Sequence, residues 1–391
     1  MHCYLCASAD TSEFIDLGMQ PLANKYPRGE DDFKREDFFP LKVFFCSACR
    51  NVQLGTKVSR ERMFEDYYYL SSVNPGLVRH FEELAQKLAG SGFVVDIGSN
   101  DGILLKPLKA LGVKCLGVDP SVNVSKIAND AGLETMTAFF DSDAADAIRA
   151  GYGIPDTIVA SSIFTHLEDP HQFTDAVSRL MADDGEFILE VEYIGDILRK
   201  AQFERFYLDR IFYYSLASLA SLFESHGMRI ADAEKIEPHG GSVRVFVRKD
   251  GGSASERVRR LLAEEEEIVT PRTLKEFKDN VGTHIAAFRE RLVGYKKSGL
   301  RVVGYGAPAR VATITNYGRI DARLIEYIVD DSPLKQNRFS PGMHIPIVPA
   351  SLLAERRPDV LVVFAHEYLD DIKKKTGGRY RYLIPVPPKE V

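Results

Sequence analysis

No apolar run in this 391-residue chain exceeds strand length; the longest, FVVDIG and DVLVVFA, cannot cross a bilayer. The first residues, MHCYLC, lack the basic and apolar regions of a signal peptide. A formal net charge of -6, with no stripe of Lys or Arg, argues against a nucleic-acid partner. No internal repeat is evident. Cysteine is scarce, and four of the five fall in two Cys-x-x-Cys pairs. Cys115 stands alone in an apolar run and reads as a small core residue. This usage suits a reducing, cytoplasmic compartment. What remains has the hydrophobic and charged fractions of a soluble globular protein, long enough for two or three domains.

The cysteine pairs are Cys3/Cys6 and Cys46/Cys49. Four thiolates from two tight turns satisfy tetrahedral zinc, each pair supplying two ligands. A redox role is disfavoured, because neither pair lies in a βαβ pattern. A closed four-cysteine site leaves no position for water, so the metal is expected to be structural. Residues 1–74 form this zinc module, with short strands PLKVFFC and NVQLG and the aromatic run Tyr67, Tyr68, Tyr69.

The segment Pro75 to Leu88 predicts an amphipathic helix opening the next unit. Across 75–250, strand runs FVVDIG, KCLGVD, DTIVAS and EFILEVE alternate with helical stretches such as SVNVSKIANDAG and PHQFTDAVSRLM. That alternation predicts an α/β fold with a parallel, doubly wound sheet, and VRVFVRK reads as a closing antiparallel strand. Residues 251–298 are highly charged and read as a helical connector with a solvated face. A second Rossmann-like α/β unit spans 299–391, with RVVGYGAPA, LIEYIVDD and PDVLVVFA as its strand-bearing runs.

The turn Asp96-Ile97-Gly98-Ser99-Asn100-Asp101-Gly102 sits where an open α/β sheet binds its ligand. It is not Gly-x-Gly-x-x-Gly, so a dinucleotide pyrophosphate fits poorly. The acidic residue ahead of the glycine suits a ligand with a cationic amino group. One strand later, Asp119 can accept both hydroxyls of an adenosine ribose. Phe139 and Phe140 offer a slot for a flat base. This is the pattern of class I S-adenosylmethionine-dependent methyltransferases.

With those motifs in place, the chain resembles the sugar C-methyltransferase family that acts on nucleotide-linked keto-sugars in deoxysugar biosynthesis. The resemblance runs through FIDLGMQPLANKYP, FPLKVFFCSACRNVQLG, YYYLSS, DIGSNDGILLKPL, ASSIFTHLEDPHQF, HGGSVRVFV, VVGYGAPARVATITNYG and DDSPLKQNRFSPGMHIPI. It implies C-methylation next to a ketone through an enolate, on a small nucleotide-linked sugar. The family carries a Tyr-His-Glu-His segment whose second His is the expected base. Here Tyr207 stands for the Tyr, but Leu208, Asp209 and Arg210 replace the rest. Arginine cannot serve as a base in a protein.

Three readings of the substitution are open. His166, which matches the family's other active-site His, or Tyr207 takes over as base. Alternatively the acceptor is an oxygen or nitrogen on a sugar or small polar metabolite, with Arg210 holding a carboxylate or phosphate. Last, the chain keeps only a binding role. The resemblance further implies substrate contacts at Tyr69, at His239 beside a glycine pair, at Gly306 and Arg310 in a glycine turn, and at Lys335. His366 and Glu367 stand where the family tends to show a Trp/Asn pair, a second departure.

Overall fold

The computed structural model describes residues 1–59, 70–250 and 252–391. Strands β1 (Thr11–Pro21), β2 (Phe38–Cys46) and β3 (Val52–Leu54) form an antiparallel meander. Sequence patterning points to β2 and β3 but not to the 11-residue β1. Two register shifts explain this, one between Glu13 and Ile15 and one between Asp16 and Met19. At the second, Gly18 adopts φ 74° and its N–H bonds Asp16 Oδ1 at 2.8 Å. Such bulges break the alternation that marks a strand in sequence.

The expected first helix is present as Pro75–Lys87. Asn74 caps it by accepting from the N–H groups of Gly76 (2.9 Å) and Leu77 (3.3 Å), with Pro75 in the first turn. Strands β4 (Phe93–Ile97), β5 (Lys114–Val118), β6 (Thr135–Met136), β7 (Thr157–Ser161) and β8 (Glu186–Glu192) are parallel. Helices Val122–Asp130, Ser142–Gly151 and Pro170–Leu180 connect them. All five residues of β4 are buried, as expected of a strand covered on both faces. The next strand, β9 (Phe212–Tyr213), leaves this sheet and pairs with β3. Then β10 (Arg229–Ile236) and β11 (Ser242–Arg248) return antiparallel. VRVFVRK is therefore an inner strand, between β8 and the unforeseen edge strand β10, rather than the closing one. The order is β10-β11-β8-β7-β4-β5-β6, so the topology switches between β4 and β7. Ligands of open α/β sheets bind beyond the carboxyl ends of strands at such a point.

The charged stretch after residue 250 forms helices Glu256–Ile268 and Pro271–Lys297. Its solvated reading needs correction at Glu265, which is fully buried. Glu265 accepts hydrogen bonds from Leu216 N–H and, at 3.0 Å, Ala217 N–H, satisfying the first turn of helix Leu216–Ser225. The longer helix is no simple connector either. Leu274, Phe277, Val281, Ile285, Phe288 and Leu292 are buried in a core shared with β1 and the final α/β unit. At about 1.5–3 kcal/mol per large apolar side chain, that face supplies on the order of 10 kcal/mol before conformational entropy opposes it.

The last unit contains β12 (Val302–Tyr305), β13 (Ile328–Asp330), β14 (Arg338–Phe339), β15 (Pro346–Pro349), β16 (Val360–Val363), β17 (Arg381–Pro385) and β18 (Pro388–Glu390). Their order, β14-β15-β13-β12-β16-β17-β18, places a second topological switch between β12 and β16. Among the described residues, no helix is long and apolar enough to cross a membrane.

Candidate active site

The four cysteine Sγ atoms lie within 4.8 Å of one another, with Cys3–Cys49 at 3.6 Å and Cys6–Cys46 at 3.5 Å. Tetrahedral zinc with Zn–S near 2.3 Å requires S···S separations of about 3.8 Å, so the cluster fits the ion. These separations are far too long for disulfides. Asn51 Nδ2 points at Cys3 Sγ from 3.7 Å and also bonds Gln53, stiffening the ligand turn.

At the first topological switch, the turn after β4 is tightly specified. Gly98 takes φ 77°, and a Cβ there would lie 2.3 Å from Ile163. Gly98 N–H bonds Val118 O at 2.7 Å, and Asn100 follows with φ 49°. Asp119 fastens the turn by accepting Asn100 N–H (3.0 Å) on one oxygen and Ser121 N–H (2.9 Å) on the other. Asp101 accepts from Ser72 through one oxygen, while its buried Oδ1 has no protein partner. Asp96 is buried, has no described hydrogen bond, and faces the charges of Asp119 and Glu190. Burial first, and those charges second, push its carboxyl up to about 8. A buried acid surrounded by acids fits a cationic ligand, as S-adenosylmethionine is. The aromatic slot is only half formed: Phe139 is 40% exposed, but Phe140 turns inward, its ring centroid 5.2 Å from Phe173.

His166 ends the short helical turn Phe164–His166 that follows β7, at the same switch point. Its Nδ1 contacts the Asp209 carbonyl. A carbonyl only accepts, so Nδ1 carries the proton and the lone pair of the neutral ring lies on Nε2. The segment carrying the departures packs against this point. Leu208 is fully buried in the core. Asp209 takes a 2.6 Å hydrogen bond from Asn24 Nδ2, and burial raises its carboxyl. The Arg210 guanidinium lies 4.8 Å from the centroid of the Tyr207 ring and pairs with Glu192 at the end of β8. Burial raises the Tyr207 phenol against the opposing pull of Arg210.

Glu192 also receives Arg205 Nη1 at 3.3 Å. Arg205 and Arg310 then share Glu367, and Arg310 Nη1 lies 3.4 Å from His366 Nδ1. Arg310, which the resemblance puts among the substrate contacts, is paired with Glu367 here. Glu204 lies buried beside this chain of charges, its carboxyl raised by burial. Burial lowers the His366 imidazole to about 4, leaving it neutral at ordinary pH.

The second switch repeats the first in detail. Gly306 takes φ 81° and its N–H bonds Val329 O at 2.7 Å. Asp330 fastens this turn as Asp119 does the other, accepting Ala307 N–H at 2.6 Å and Ser332 N–H at 2.8 Å. Lys335 is directed inward, donating to Ala307 O at 2.9 Å, next to Tyr26. Tyr69 and the side chain of His239 lie outside the described residues.

Sequence reasoning missed Glu190, Glu192, Arg205 and Arg244. Glu190 accepts from His80 Nε2 (2.9 Å), Arg244 Nε (2.6 Å) and Ser161 Oγ (3.1 Å) behind the cofactor turn. A signal for the acids was present: EFILEVE carries three glutamates in an otherwise apolar strand, two of them, Glu190 and Glu192, two residues apart, and buried charges demand partners.

Three family models cover the chain: "Putative zinc binding domain" over residues 3–64, "Methyltransferase domain" over 66–233 and "C-methyltransferase C-terminal domain" over 237–387. C-methyltransferase NovU of Streptomyces niveus is 32% identical over 403 residues, spanning 100% of this chain and 96% of that protein. Ubiquinone biosynthesis O-methyltransferase of Cupriavidus pinatubonensis is 31% identical over 94 residues, 24% of this chain and 38% of that one. The solved mitomycin 7-O-methyltransferase MmcR aligns with TM-score 0.37 and 16% identity, over 46% of this chain and 56% of that one. CcbJ methyltransferase from Streptomyces caelestis gives TM-score 0.37 and 13% identity, over 47% and 99%. Such scores add nothing to the full-length match. A thiolate cluster that fits zinc, a turn that fits S-adenosylmethionine and end-to-end similarity to NovU lead to one assignment: the chain belongs to the C-methyltransferase family and is an S-adenosylmethionine-dependent methyltransferase.

Proposed function

We propose that the chain methylates the carbon next to the ketone of a nucleotide-linked keto-sugar, with His166 as the base. The observation that carries this reading is the contact between His166 Nδ1 and the Asp209 carbonyl, which puts the lone pair of the neutral ring on Nε2. Arg210 is excluded as base by its chemistry and by its pairing with Glu192. S-adenosylmethionine supplies a sulfonium-bound methyl group as electrophile. Asp96 would face the cofactor's cationic end and Asp119 its ribose hydroxyls, with Gly98, Asn100 and Asp101 shaping the turn and Phe139 bordering the base.

His166 Nε2 takes the proton from the carbon alpha to the ketone, and the electron pair moves onto the ketone oxygen as an enolate. Arg210, held over the Tyr207 ring, places positive charge where that oxygen develops, and the Tyr207 phenol can donate to it. The enolate carbon would then take the methyl group as its bond to the sulfonium sulfur breaks and the sulfur leaves as a neutral thioether, the ketone re-forms, and the proton departs from His166 to solvent. Gly306, Arg310 and Lys335 would border the nucleotide end of the acceptor.

Running the reaction in D2O with a nucleotide-linked keto-sugar tests this. Deuterium should enter next to the ketone, and with S-adenosylmethionine the new methyl should sit on carbon. A methyl ether with no exchange would replace this reading by O-methylation.

A further inference from the structure

One carboxylate oxygen takes two arginines at the crevice beyond β12 and β16. Glu367 Oε1 lies 2.5 Å from Arg205 Nη2 and 2.5 Å from Arg310 Nη2. Arg205 comes from the methyltransferase part of the chain, Arg310 from the start of helix Arg310–Tyr317 in the C-terminal unit. Their side chains are 6% and 11% exposed, whereas Glu367 is 24% exposed on the turn after β16. The acid is the member of the trio nearest solvent. Arg205 is also held by Glu192 at 3.3 Å, and Arg310 also touches His366, on the same turn as Glu367. Fixed, buried guanidiniums with forked donors form an anion receptor, and phosphate, with three acceptor oxygens, matches two of them.

The receptor lies beside the cofactor turn. Ser71 N–H bonds Asn100 Oδ1 at 3.0 Å and Ser72 N–H bonds Asp101 Oδ2 at 3.3 Å. Just after them, Asn74 Nδ2 bonds the hydroxyl of Tyr368, the neighbour of Glu367. A hydrogen-bonded path therefore joins the cofactor turn to the turn that carries the acid.

We propose that Arg205 and Arg310 form the binding site for a phosphate of the acceptor, and that Glu367 is an internal stand-in which that phosphate displaces. Entry of the acceptor then requires the 366–368 turn to release, a movement passed through Asn74 toward the cofactor turn. The inference rests on the phosphate-bearing part of the proposed acceptor, not on the sugar or the bond methylated.

Inorganic pyrophosphate titrated into the full-length, zinc-loaded protein tests it. Glu367→Gln should bind pyrophosphate at least about tenfold more tightly than the unchanged chain. Adding Arg310→Gln should abolish the gain. S-adenosylmethionine binding serves as the integrity control. Tyr368→Phe, which loosens the turn without altering its charges, should give a smaller gain of the same sign, and it decides the matter if Glu367→Gln does not fold. Unchanged or weaker pyrophosphate binding in the folded variants, or a gain that survives Arg310→Gln, would overturn the proposal. Turnover of a keto-sugar nucleotide with no such gain removes this inference alone; a gain without turnover removes only the proposed reaction.

Discussion

Glu192→Gln should be among the most damaging single changes outside the apolar core, and the reason can be worked from its neighbours. Glu192 is 3% exposed and faces two guanidiniums, Arg205 at 3.3 Å and Arg210 in direct contact, themselves 6% and 9% exposed. Neutralising the acid leaves two cations buried around an amide. Arg205 retains Glu367, but Arg210 loses its ion-pair partner. Removing one partner of a buried pair costs about 3–5 kcal/mol. At roughly 2–4 °C per kcal/mol for a domain of this size, melting should fall by about 6–20 °C. Arg210→Met removes the stranded cation while Glu192 keeps Arg205, so it should cost less. The double variant should recover about 1–3 kcal/mol relative to the sum of the singles. Thermal melts of the four proteins, with zinc content checked in each, give the cycle. A fall below about 2 °C for Glu192→Gln, or strict additivity, would refute the idea that a buried ion pair organises this site.

Further outcomes can be checked independently. His166→Ala should lower turnover at least about 100-fold with S-adenosylmethionine affinity little changed, read by steady-state kinetics and calorimetry; an undiminished rate removes it from the mechanism. Asp96 gives a pH signature. Its folded pKa of about 8 lies above the usual carboxylate value, so the unliganded chain holds a proton that the unfolded chain releases, and its stability falls as pH rises from about 4 to about 8. A cation prefers the ionised acid, so S-adenosylmethionine affinity should climb by up to about tenfold per pH unit and level off near pH 8. A flat profile between pH 6 and 8, or an unaltered one in Asp96→Asn, would contradict this. Elemental analysis should find one zinc per chain, lost in Cys46→Ser/Cys49→Ser, with β2 and β3 becoming exchange-labile in deuterium-exchange mass spectrometry; retained protection would mean the metal does not hold that sheet.

Legibility in the sequence followed the range of the interactions. The cysteine turns, the Pro75–Lys87 helix and strands β4, β5, β7 and β8 depend on local spacing, and each lies where its spacing puts it. The glycine turn after β4 was readable for the same reason. The ionic chain was not, because Arg205 meets Glu192 13 residues away and Glu367 162 residues away, across two sheets. Nor could the proton on His166 be placed without the Asp209 carbonyl, 43 residues further on. Glu265 shows the opposite failure. In an acidic run every charge looks equally solvated, and only the docking of helix Leu216–Ser225 picks one out for burial.

β9 is two residues long, yet it decides when the amino-terminal sheet can be finished. β3 pairs through Val52 and Gln53 with Tyr213 and Phe212, just downstream of Arg210. During synthesis both cysteine pairs leave the ribosome before most of the methyltransferase sheet exists. Metal can therefore fasten β2 and the cysteine turns early, while the outer rim of β3 stays open until Phe212 emerges. Order of assembly is thus written into the strand pairing: the metal-bound piece is the scaffold onto which the segment around Arg210 is later sewn. A fragment ending before residue 212 would be a sheet with a missing seam, prone to pair with its own copies.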